Sequence, residues 1–252
     1  MRKGLLQVSN RLLLEKSMQK KITFLVIIVF LSLKGTAQTF IYNELLQAHV
    51  SKEGMVDYKN FNQKRLRLYL TSLEKVTPNS SWSKDRKKAF WINVYNAYTL
   101  QIVLENYPVK SIRNIKKSGK TAWRIPFVKV GNQTYTLDDL EHEILRKKHK
   151  DPRIHVAVNC ASISCPKLLN VAFTEENLDT KLENLMIGFV NDTTRNKISN
   201  EKVKISKIFS WFKEDFTEKG SIIEYLNQYS ETPIHKNAQI RYKTYDWNLN
   251  EK

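Results

Sequence analysis

The chain has 252 residues, 41% of them hydrophobic and 27% charged, with five tryptophans and eleven phenylalanines. That supply of apolar and aromatic side chains suits a folded core and excludes a disordered or fibrous chain. The formal charge of +17 favours anionic envelope components as partners, but the basic residues are scattered. No aromatic-interleaved basic motif appears, which argues against nucleic acid.

The first feature in chain order is a charged start, Met18 to Lys21, followed by an apolar run over 22–33 and then Lys34, Gly35, Thr36 and Ala37. A basic head, a short apolar stretch and small residues at the end predict a signal peptide cut after Ala37. The run is too short for a membrane-spanning helix, which needs roughly 20 residues. The expectation is therefore an N-terminal extension and signal over 1–37, with the working start at Met18, and one globular domain over 38–252. The domain would be exported to the periplasm or beyond, with no stable membrane span after cleavage. Residues 1–37 hold seven Lys/Arg and one acid, leaving +11 on the remainder.

Apolar spacing predicts helices over 39–50 and 61–73, with Gly54 breaking the first. Ser83 caps a long helix over 84–106 that Pro108 stops, and its apolar residues cover more than one face, as in a central buried helix. Residues 109–115 read as a link or short strand. Alternation around Gly131-Asn132 predicts a hairpin over 127–136. Thr136 and Asp139 form a capping-box pattern that opens a helix over 137–148. Residues 154–159 read as a strand, 174–190 as a helix, and 197–205 as a second hairpin. Helices over 206–216 and 221–229 and an extended segment over 240–245 close the chain. The predicted class is α+β, a single domain with several helices around a small, mostly antiparallel sheet.

The stretch RIHVAVNCASISCP at 153–166 gathers a histidine and both cysteines of the chain, Cys160 and Cys165. A thiol becomes a useful nucleophile beside an imidazole or a helix N-terminus. His155 is one candidate base. On an unbroken strand it would point away from Cys160, so the chain must bend after Asn159 for the two to meet. His142 competes for the role. The loop over 161–164 could offer backbone N–H groups to an oxyanion.

Glu141 borders the apolar face of its helix and wants a cation or hydrogen bonds, from Arg146 or Arg153. Asn93 and Asn96, three apart in an apolar helix, must bond something specific. They either tie loop backbone to the core or orient a group in a site. Metal donors are present in Glu141, His142, His155, Cys160 and Cys165, but neither CxxC nor HExxH spacing occurs. Neither a metal nor a cofactor is expected.

Several motifs occur in order: FWINVYNA at 90–97, ENYPVKSI at 105–112, TLDDLEHEILR at 136–146, DPRIHVAVNC at 151–160, SCPKL at 164–168, SKIFSWFKEDF at 206–216 and YDWNLN at 245–250. Together they resemble the family called domain of unknown function 547, over roughly 50–250. The resemblance implies an exported bacterial member without the leucine-zipper segment of plant members. It marks Asn93, Asn96, Glu141, His142, His155, Cys160 and Cys165 as a candidate site without supplying a reaction.

Three functions stay open. One is a thiol hydrolase or acyl transferase acting on amide or peptide bonds. Cys160 would be its nucleophile, His155 or His142 its base, and Glu141, Asn93, Asn96 and Arg153 its orienting groups. The second is a non-catalytic envelope module with a Cys160–Cys165 disulfide. The third is a thiol redox protein.

Overall fold

Ser83 opens the central helix α3 (Lys84–Glu105), its hydroxyl accepting the Arg86 N–H at 3.0 Å. This satisfies one of the amides a helix start leaves unpaired. Between 89 and 104 every side chain except Phe90 and Gln101 is buried, as an all-round apolar pattern demands. The computed structural model describes residues 39–252, and the expected signal segment over 1–37 lies outside them. Helix α1 covers 39–49 and α2 spans Gln63–Leu73. Tyr42 of α1 stacks on Tyr69 of α2 at 4.8 Å between ring centroids. Among the described residues no helix is long and apolar enough to cross a membrane.

Two hairpins follow α3. Strands β1 (Lys116–Lys117) and β2 (Lys120–Thr121) turn at Ser118-Gly119, a short exposed pair that the hydrophobic pattern did not predict. The Ser-Gly dipeptide is the signal that could have located it. Strands β3 (Val128–Val130) and β4 (Gln133–Tyr135) turn at Gly131-Asn132, as expected. The capping box also forms: the Thr136 N–H donates to Asp139 at 2.8 Å and the Asp139 N–H to Thr136 at 3.0 Å. It opens α4, over 137–149, whose middle turns, Asp139–Arg146, wind in the wider π form. Such widened turns recur at functional sites.

The segment after α4 differs from expectation. Residues 154–159 are not a strand; Pro152–Val156 forms a tight 3₁₀ turn. Asp151 accepts the Arg153 N–H at 3.1 Å, and Pro152, with its fixed φ, stands at the first helical position. Ile154, His155 and Val156 are all buried, so the apolar alternation reported burial on every side rather than a two-faced strand.

Helix α5 (Leu178–Asn191) starts later than predicted because Thr174 and Asn177 first bond each other across a capping turn. The helix expected over 206–216 is two short ones, α6 (Ile208–Trp211) and α7 (Lys213–Phe216), broken at Phe212. Strands β5 (Lys197–Ile198) and β6 (Lys202–Ile205) make the second hairpin. Helix α8 (Ile222–Asn227) follows, and β7 (Gln239–Tyr242) then joins β6 in parallel. The class is α+β, but among the described residues the strands form three small sheets rather than one.

Residues 41–252 share one continuous hydrophobic core. The C-terminal stretch is stitched into it. Asn250 accepts from the Tyr58 hydroxyl at 2.9 Å and donates to the Gly54 carbonyl at 3.0 Å. Gly54 has φ +86, and a Cβ there would come within 2.6 Å of the Lys167 Cβ, so only glycine fits.

Candidate functional site

The thiol loop is held by side-chain amides. Asn96 donates to the Ala157 carbonyl at 2.9 Å and accepts the Asn159 N–H at 2.8 Å. Asn93 makes the same two-point clamp on Phe173, at 2.7 and 3.0 Å. Both asparagines therefore tie loop backbone to α3, the first of the two roles open for them. Asn159 then closes the loop itself, accepting the Ala161 N–H at 2.8 Å and donating to the Pro166 carbonyl at 2.8 Å. Ala161 takes φ +54, a left-handed conformation uncommon for a residue with a Cβ. Arg195 donates to the Cys165 and Ile163 carbonyls at 3.0 and 3.1 Å.

This frame brings the two thiols together. The Sγ atoms of Cys160 and Cys165 are 2.8 Å apart and share one S–H···S bond, with both cysteines free. The Cys160 N–H donates to the Cys165 Sγ at 2.9 Å. The Ser162 and Tyr245 hydroxyls each lie 3.3 Å from the Cys160 Sγ. Cys160 is half-buried and Cys165 is buried. The Cys165 hydrogen bond draws the Cys160 thiol below its ordinary pKa, helped by Ser162 and Tyr245 and opposed by burial. Burial, then the neighbouring Cys160, pushes Cys165 well above its own. The environments split two like groups into a readily ionised thiol and a reluctant one.

Above Cys160 is an aromatic rim. Tyr245 packs 4.7 Å from Trp211 and 4.6 Å from Trp247, and Trp123 lies 5.9 Å from Trp247. Trp211 is 46% exposed. The C-terminal stretch also takes up the loop's amides: Ile163 donates to the Asn248 carbonyl at 2.9 Å and Ser164 to the Asp246 carbonyl at 3.2 Å. With the Ala161 N–H committed as well, three of the four loop amides expected for an oxyanion, those of 161, 163 and 164, already have acceptors.

The imidazoles belong to a different cluster, which corrects the expected thiol–imidazole pairing. His155 Nε2 is 2.7 Å from Asp215, and the ring stacks on Phe212 with centroids 3.9 Å apart. Burial drives the His155 pKa down, with Asp215 pulling the other way, and its Nδ1 is buried without a protein partner. His142 Nδ1 meets Arg146 at 3.0 Å, and Arg146 grips Asp215 through two bonds of 2.6 and 2.8 Å. Neither ring is among the hydrogen-bond partners of Cys160.

Glu141 stands between the clusters. It accepts from the Tyr95 hydroxyl at 3.1 Å, and its charge acts on Cys160 as well as on Asp215 and Arg146. Burial raises its carboxyl to about 7.

Arg153 points elsewhere. It bonds Asp151, Asp179 and Glu183 at 3.0, 2.8 and 3.1 Å, pinning the 3₁₀ turn to α5. Among the described residues no group of three or more His, Cys, Asp or Glu converges to hold a metal ion.

The sequence reading missed Asp215, Tyr245 and Tyr95 as site neighbours, and offered Ser162 only for its backbone N–H. Asp215 and Tyr245 lie in quoted motifs, SKIFSWFKEDF and YDWNLN, yet nothing local to either string says what it touches.

Residues 79–190 match the family model described as "Protein of unknown function, DUF547". The chain resembles that family across α3, the capping box, the 3₁₀ turn, the thiol loop and nearly all of α5. No match to a curated protein or to a solved structure was found.

Proposed function

We propose that Cys160 and Cys165 form a reversible dithiol–disulfide couple, with Cys160 as the attacking thiol and Cys165 as the resolving one. The observation that carries this is the 2.8 Å approach of the two sulfurs with no imidazole bonded to either. A hydrolase would need a proton acceptor on Cys160 and free oxyanion donors. The imidazoles are engaged elsewhere, and so are the N–H groups of Ala161, Ile163 and Ser164.

The exchange balances as follows. The Cys160 thiolate attacks one sulfur of a partner disulfide, and the other partner sulfur leaves as thiolate. Cys165 loses its proton and attacks Cys160, forming the internal disulfide and expelling the second partner sulfur. The pair gives up two electrons and two protons, and the partner disulfide becomes two thiols. A loop this short contributes only about 2 kcal/mol through chain entropy, so the bond can open as well as close. Export through the 1–37 segment would place the couple in an oxidising compartment.

The test is equilibration of the full chain in glutathione buffers of graded potential, followed by acid quench, alkylation and mass analysis. The expected result is one reversible two-electron transition that vanishes in Cys160→Ser and in Cys165→Ala. Cys165→Ala should also shift the pH midpoint of Cys160 alkylation upward, because the thiol loses its main hydrogen-bond donor. A bond that never forms, or one that resists the most reducing buffer, overturns the proposal, and the second outcome favours the structural disulfide.

A further inference from the structure

A feature remote in kind from the thiols lies on the β5–β6–β7 sheet. Its register places Lys197 opposite Lys204, and Lys204 opposite Arg241. Three cations thus stand side by side across three strands, at about 4.8 Å per strand. One two-residue step along β6, Lys202 sits beside Gln239 on the same face. All five side chains are exposed, while Val203 and Ile205 turn into the core. Like charges directly opposite one another on a sheet destabilise it. Among the described residues, none of these four cations forms an ion pair with a carboxylate, although other arginines and lysines of the chain do. Lys243, at the end of β7, feels the same field. Its pKa is lowered by partial burial first and then by Lys197 and Lys204 among its neighbours.

We propose that this face binds a linear phosphate-bearing polyanion without bases. The cations line a groove of about 320 Å³, so a chain laid across the strands meets all of them. No aromatic side chain lines the groove. Single-stranded nucleic acids are usually held by stacking as well as charge, so the lining favours a backbone that offers charge alone. Three of the four cations are lysines, compact point charges that accept phosphate oxygens from many directions rather than one fixed fork.

The experiment measures binding of fluorescently labelled inorganic polyphosphate to the full chain by anisotropy, across a salt series. Lys204→Glu is compared with Lys64→Glu, which makes the same charge change at an exposed position on α2. Lys204→Glu should weaken binding about tenfold or more at low salt and flatten the salt dependence, and Lys64→Glu should change it less than about twofold. The melting temperature of Lys204→Glu should hold or rise, because a carboxylate between Lys197 and Arg241 turns two repulsive pairs into attractive ones. The double variant Lys197→Gln/Lys202→Gln should lose affinity without any new charge. Equal loss in Lys204→Glu and Lys64→Glu would reduce the face to diffuse charge and overturn the proposal. So would binding to phosphatidylglycerol vesicles or to an oligothymidine strand with none to polyphosphate.

Discussion

Glu141 is a carboxylate in a place that resists its charge. The Tyr95 hydroxyl donates to it, and burial lifts its carboxyl from an ordinary 4.5 to about 7. A folded-state pKa above the unfolded one means that the folded protein binds the extra proton. The associated stability is complete below about pH 4.5 and is lost as pH rises through about 7, a change of roughly 3 kcal/mol. Glu141→Gln keeps an acceptor for Tyr95 and removes the charge. Thermal melts should therefore show Glu141→Gln more stable than the parent near pH 8 and equal to it near pH 4. The Glu141 charge also raises the Cys160 pKa. The same variant should lower the pH midpoint of Cys160 alkylation, and an unmoved midpoint would separate Glu141 from the thiol site.

Between elements, side-chain amides and carboxylates do much of the joining. Asn96 substitutes for a strand neighbour, giving the 157–159 backbone one donor and one acceptor from inside α3. Truncating it to alanine leaves a buried N–H and C=O without partners, at on the order of 3 kcal/mol. Asn96→Ala should lower the denaturation midpoint accordingly and loosen the thiol loop, seen as faster amide exchange at Cys160 and Ala161. Asp215 joins α7 to α4 through Arg146 and to the 3₁₀ turn through His155. The elements themselves were unevenly legible. Where a helix began with Ser83, or with Thr136 and Asp139, the cap was local and the reading held. The 152–156 turn misled because its alternation of apolar residues fits a strand, and burial on all sides is not written in a five-residue pattern.

For the molecule as a whole, charge dominates. The chain carries 42 Lys/Arg against 25 Asp/Glu, so self-repulsion opposes the folded state. Raising ionic strength from about 10 mM to about 150 mM shortens the screening length from about 30 Å to about 8 Å. The melting temperature should rise over that range. The partly buried Lys88–Asp151–Arg153 web, with bonds of 2.9 and 3.0 Å, is less exposed to screening and should persist. A falling melting temperature would mean that such ion pairs outweigh the repulsion.

What the residues alone determined follows from short-range physics. The α+β class, the buried central helix, the Gly131-Asn132 turn, the capping box and the presence of both cysteines in one loop each depend on neighbours within a few positions. Tertiary structure decided the chemistry. Cys160 found Cys165 and Tyr245 instead of an imidazole, His155 found Asp215 sixty positions away, and β7 came in parallel to complete a row of cations. Those outcomes depend on which distant segment reaches each polar atom first, and no periodicity in a linear chain records that.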